Sequence, residues 1–163
     1  MSADVTNADH GRCALGEAEQ SAFGGTELET EVAVAELTAL ATIVTAGEWW
    51  GAAGGPAVSV ATARTSARSS RARRRGLGPV VITLAAGQHD VGTLAHELGH
   101  ALAGVGHGHD PWFRAAEIDL VAFLAGPATA DRLATACAAF ELAVAVRPWP
   151  PPWRLTGPDF LLR

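Results

Sequence analysis

Between Thr26 and Trp50 the apolar positions Leu28, Val32, Ala35, Ala39, Ile43 and Trp50 recur at the spacing of a helix with one buried face. Thr26 followed by Glu29 resembles a capping box at its start, and Gly51 with Gly54-Gly55-Pro56 breaks it. One long amphipathic helix is predicted here. Upstream, residues 1 to 24 scatter Asp, Asn, Gly and Ser without a period and read as a flexible leader. Downstream the period changes to two. Val58 and Val60 alternate in a short strand, and Val80-Val81-Ile82-Thr83-Leu84 is a compact β-branched one. The Ser/Arg-rich stretch from Arg64 to Arg75 between them is expected as a loop or an exposed hairpin arm.

Helical spacing returns from Thr93 to Leu102, after Gly87 and Asp90 prepare a helix start. Gly104, Gly106 and Gly108 make a pliable loop. Asp110 as cap and Pro111 in the first turn open a helix to about Leu124. Gly126-Pro127 ends it, and a last helix is predicted from Thr129 to Val146. The run Arg147-Pro148-Trp149-Pro150-Pro151-Pro152-Trp153 cannot be helical and is expected as extended polyproline, its tryptophans covering an apolar surface. Helix, two or three strands, then three helices is an α+β layout. At 163 residues, 48% of them apolar, the chain suits one core domain at 25 to 146, with a leader before it and a Pro/Trp-rich tail at 147 to 163.

Composition narrows the class of function only a little. No apolar run reaches the roughly 18 to 20 residues that span a bilayer. The first twenty residues lack the basic start and apolar stretch of a secretory signal, so a cytoplasmic protein without membrane contact is expected. Cys13 and Cys137 lie far apart, outside any metal-type pair, and read as free thiols. The formal charge of −5 is unevenly spread: residues 1 to 50 hold nine acids and one arginine, whereas Arg64 to Arg75 holds six arginines and no acid.

The chemistry concentrates in His96-Glu97-Leu98-Gly99-His100. On a helix, residues four apart share a face, so two imidazoles can meet one ion. Glu97, beside the first of them, is placed to reach a water at the metal rather than the metal itself. Imidazole and carboxylate donors favour Zn2+. A catalytic zinc takes three protein ligands and keeps one position open, and His107, His109, Glu117, Asp119 and Glu141 are the candidates for the third.

His96 to His100, the Gly-rich loop and His109-Asp110-Pro111-Trp112-Phe113 together resemble the SprT-like minimal zinc peptidases, and most of all a small actinobacterial metallohydrolase family. In that family, too, a motif like Glu48-Trp49-Trp50 ends the first helix and an Arg-rich strand precedes the zinc helix. The likeness covers about Ala22 to Val146 and is specific only around residues 93 to 113. It implies a minimal zincin-like domain: long N-terminal helix, small sheet, zinc-binding helix and two C-terminal helices. It also implies His109 as third ligand, with His107 as the alternative, and Phe113 packing behind it.

The extended metzincin pattern does not fit, because Ala103 and Gly106 stand where it needs Gly and His and Met1 is the only methionine. Glu117 and Asp119 read as acids that accept the free N–H of a ligand histidine. The chain has no tyrosine, so zinc, His107, Arg73 or Arg114 would have to steady an oxyanion. The strand Val80 to Leu84 can hold an extended peptide by strand addition. The expected activity is therefore zinc-dependent hydrolysis of a peptide or protein, with Glu97 activating water. Two other readings stay open. A structural zinc would be closed by both His107 and His109. A nucleic-acid contact would run through Arg71, Arg73, Arg74 and Arg75, disfavoured by the overall negative charge and the lack of interleaved aromatics.

Overall fold

The computed structural model describes residues 3 to 152, with side chains from Gly11 onward. Along them the chain runs through α1 (Ala3–Phe23), a 3-10 turn (Glu27–Glu29), α2 (Val34–Ala46), α3 (Glu48–Ala52), β1 (Val58–Thr62), β2 (Arg71–Arg74), β3 (Val80–Leu84), α4 (Val91–Ala103), α5 (Pro111–Ala125) and α6 (Pro127–Ala139). The architecture is α+β, with helices around a small mixed sheet.

The expected flexible leader is instead helix α1. Leu15, Ala18 and Ala22 form a narrow apolar strip at helical spacing, buried together with Phe23, and α1 packs along α6. Its other positions are small or polar, and Gly11 and Gly16 interrupt the pattern, so the strip is faint in the sequence.

The long helix expected from Thr26 to Trp50 is split in three. Thr26 does cap, accepting the Leu28 N–H at 3.2 Å, while Glu29 takes the Gly25 N–H at 3.3 Å. The capped element is only a 3-10 turn, because the Val32 N–H is drawn 2.8 Å to the His89 carbonyl and pulls the chain extended. Gly47, extended at φ −72° and ψ 150°, then separates α2 from α3. The last helix also stops early. Phe140 caps α6, and Glu141 at φ +57° turns the chain back so that the Leu142 N–H meets the Cys137 carbonyl at 2.8 Å.

The sheet order is β1-β3-β2, with β1 parallel and β2 antiparallel to β3. Thus the Arg-rich segment is a loop followed by a hairpin arm. Val80, Ile82 and Leu84 of β3 are buried on the inner face, where α2 packs on β1 and α4 on β2 and β3. The outer face, with Ser59, Ala61, Arg71, Arg73 and Val81, is open to solvent. β3 is the central strand, so the peptide-binding edge expected on Val80 to Leu84 is already paired on both sides; the edge left free beside α4 is β2.

Beneath the sheet, Leu94, Leu98, Phe113, Leu120 and Leu124 form the core of the α4–α5 pair. A fully buried leucine contributes on the order of 2 kcal/mol. The tryptophans of α3 tie down two segments. Trp49 stacks on Phe123 at 5.7 Å and donates from Nε1 to the Pro150 carbonyl at 2.7 Å, while Trp50 donates to the Pro56 carbonyl at 2.8 Å. Residues 147 to 152 are non-helical with Trp149 buried, as expected; Trp153 lies outside the described residues. Both cysteines are free, and no described helix is long and apolar enough to cross a membrane.

Candidate metal centre

Two aspartate caps fix the helices that carry the histidines. Asp90 accepts the Thr93 N–H at 2.7 Å and starts α4. Asp110 accepts the Trp112 and Phe113 N–H groups at 2.9 and 3.0 Å, with Pro111 in the first turn of α5. Each such cap contributes about 1 kcal/mol. The loop between the helices leaves α4 through Gly104 at φ +106°, a conformation other residues rarely adopt, and delivers His109 back over the α4 face that bears His96 and His100.

The three rings form a near-equilateral group. Their centroids lie 5.0 Å apart for His96 and His100, 5.0 Å for His96 and His109, and 4.9 Å for His100 and His109. Nε2 of His96 and Nε2 of His109 are 3.1 Å apart. Ligands about 2.0 to 2.1 Å from a tetrahedral ion stand roughly 3.3 Å from each other, so the spacing suits one zinc-sized cation. Burial, reinforced by charge on His96, lowers the His100 pKa to about 3 and that of His109 to about 4. Both rings are therefore neutral, the form a metal requires.

Phe113 is the common back wall. Its ring centroid is 4.8, 4.2 and 5.1 Å from those of His96, His100 and His109. It can sit there because position 99 is glycine: a Cβ on Gly99 would come within 3.1 Å of the Phe113 ring and 3.4 Å of the Glu117 backbone. Arg114, buried, holds the loop from below, donating from Nη1 to the His109 carbonyl and from Nε to the Ala143 carbonyl, each at 2.6 Å.

Two carboxyls converge on the far nitrogen of His96. Glu19 of α1 lies 2.6 Å from His96 Nδ1, and Glu117 of α5 lies 3.4 Å from the same atom. Burial would raise the Glu19 pKa, but its contacts with His96 and Glu117 lower it to about 2. Glu117, fully buried beside that negative charge, is pushed well above the usual carboxylate range. Burial and mutual repulsion thus push the proton affinities of the two carboxyls apart. Burial alone would lower His96, yet Glu117 and Glu19 outweigh it and hold the ring well above its ordinary value. Carboxylates at Nδ1 hold that N–H in place, so a cation at Nε2 would take the position of the second proton.

Glu97 points away from this pair, toward β2. Burial raises its pKa, while the positive charge of His96, the Ala72 backbone N–H and the charge of Arg71 act against that rise. Its Oε2 is buried without a hydrogen-bond partner. Glu97, His96 and His109 line one cleft of about 490 Å³ whose opposite wall is α1, through Arg12, Gly16 and Glu19. Ser70, at the rim, is pinned by Gln88, whose Oε1 accepts from its N–H at 2.7 Å and its hydroxyl at 2.9 Å.

Several expected site residues lie elsewhere. His107 is exposed, and its Nδ1 is 2.7 Å from Asp110 Oδ2; the four-histidine closure of a structural zinc is not formed. Asp119 does not meet a ligand histidine. Two positions beyond Glu117, it faces the opposite side of α5, where Trp149 Nε1 donates to it at 2.7 Å and Arg147 pairs with it at 2.7 Å. Glu141 sits in the turn after α6. Arg114 is engaged by backbone carbonyls, His107 by Asp110, and Arg73 lies on the open sheet face, so none of these three is aimed at an oxyanion. Arg71 and Arg74 are on the free-edge strand, and Arg75 follows it. The residue missed from sequence is Glu19. Its only signal is its place beside the strip Leu15, Ala18 and Ala22, within a segment read as unstructured.

No family model, curated protein or solved structure matches the chain. The metal centre therefore stands on its own geometry: His96, His100 and His109 form a group that could hold a metal ion.

Proposed function

We propose that the protein is a zinc-dependent hydrolase of peptide bonds, with His96, His100 and His109 as ligands and Glu97 as general base. The carrying observation is the pairing of a three-imidazole group with a buried carboxylate oxygen, Glu97 Oε2, that has no partner of its own in the same cleft. Three protein ligands leave the open position that separates a catalytic from a structural zinc. When bound, zinc polarises a carbonyl and brings the pKa of water near neutrality.

The chain's own groups do the rest. Glu97, its pKa raised by burial, accepts the proton of an attacking water and can return it to the leaving amine. The Glu19–Glu117 pair and Phe113 hold His96 in orientation, and Arg114 holds the His109 loop. A polypeptide laid along the free edge of β2 would pass beside Glu97, which strand addition makes a natural way to present an amide. The resemblance to SprT-like peptidases over residues 93 to 113 supports the same reading.

The test is Glu97→Gln in the zinc-loaded full chain, assayed on an unfolded protein substrate with metal content measured in parallel. The variant should keep its zinc and lose cleavage by on the order of 100- to 10,000-fold. Undiminished cleavage would remove Glu97 from the chemistry.

A further inference from the structure

Residues 49 to 89, which include the whole sheet, carry six arginines and no acid, although the full chain has 17 acids against 12 arginines. Among the described residues, none of these six arginines makes an ion pair. Arg74 serves the hairpin, donating to the Gly78 carbonyl at 2.8 Å and the Leu77 carbonyl at 3.4 Å. Arg71 and Arg73 do neither. They stand opposite Thr83 and Val81 on the open face of the sheet, both exposed, and Arg71 is near enough to Glu97 to bear on its charge.

β2 is paired only with β3, and its other edge, where the Ala72 N–H reaches toward Glu97, runs beside the candidate metal centre. Natural proteins blunt such edges with charge, and charge also selects what may pair there. In an added strand, every second residue would share the face of Arg71 and Arg73, with Cβ atoms about 5 Å from theirs. The edge therefore rejects basic segments and favours those with acids at alternate positions.

We infer that the protein binds acidic, extended polypeptide segments as a strand added to β2, with Asp or Glu at alternate positions facing Arg71 and Arg73. The inference deepens the peptidase reading and rests on it for the consequence of binding. Phosphate backbones would also meet arginine. However, residues 51 to 88 contain no aromatic side chain on which a base could stack, and paired backbone hydrogen bonds are something only a polypeptide can supply.

The experiment reads binding rather than turnover. Fluorescence anisotropy is followed on the full chain carrying Glu97→Gln, with three labelled ten-residue peptides: alternating Glu and Thr, alternating Gln and Thr, and the Glu/Thr composition with its glutamates bunched at one end. The alternating acidic peptide should bind about tenfold tighter than the other two, less so as salt rises. Arg71→Ser/Arg73→Ser should abolish the preference, and Arg71→Glu/Arg73→Glu should transfer it to a Lys/Thr peptide. Equal binding of the three peptides, or their displacement by a DNA oligonucleotide that holds the same arginines more tightly, would overturn the proposal. Should wild-type protein fail to cleave while the preference holds, the hydrolase reading alone is lost.

Discussion

Helix α5 buries two acids, Glu117 and Asp119, two residues apart and both without exposure, yet its two sides treat them differently. Asp119 faces the returning C-terminal segment, where Trp149 and Arg147 each meet it at 2.7 Å. Glu117 faces α4 and α1. Both its oxygens lack a hydrogen-bond partner, and His96 Nδ1 lies 3.4 Å from one of them. A buried carboxylate gripped by an indole N–H and a guanidinium is a fastening. One without such partners, pushed toward its neutral form beside Glu19, costs stability, and its place fits a group that orients His96, one of the three histidines that could hold a metal ion.

Asp119→Ala sharpens the comparison most. It removes the carboxylate that the Trp149 N–H and Arg147 both meet, so unfolding free energy should fall by about 3 kcal/mol in urea titrations, with zinc affinity unchanged. A matching loss of zinc affinity would show that the two sides of α5 are not separable. Glu19→Gln is the complementary change, with a smaller effect on a different readout. Zinc affinity, measured against a competing chelator, should drop about 10- to 100-fold while stability of the metal-free chain moves little. An unchanged affinity would reduce the Glu19–His96 contact to a surface tie between α1 and α4.

The legible and illegible parts of this molecule divide by sequence distance. Asp90, Asp110 and Pro111 act within a turn of themselves, so α4 and α5 were predicted within two residues at each end. Both motif histidines and Glu97 belong to one of these elements. His109 was reachable because its loop is short, though the choice over His107 needed the Asp110 contact to decide it. The break at Gly47 and the early end of α6 at Phe140 and Glu141 are local, but the other misreadings involve partners far along the chain. Thr26 was recognised as a cap, but the His89 carbonyl that stops the helix there is tens of residues away. Glu19 meets His96 across 77 positions, and the apolar strip of α1 packs against the distant α6. Asp119, read as a partner of a ligand histidine, is taken instead by Trp149, 30 residues further along. The central place of β3 depends on pairing with both other strands, which periodicity along one strand does not encode.

The three-histidine centre is tested most directly by titrating Zn2+ against a chelator of known affinity, comparing wild type with His109→Ala and His107→Ala. One equivalent should bind to wild type and to His107→Ala alike. In His109→Ala the affinity should fall by more than the roughly 100-fold that loss of a supporting carboxylate can cost. Retained affinity in His109→Ala, or its loss in His107→Ala instead, would contradict the centre described.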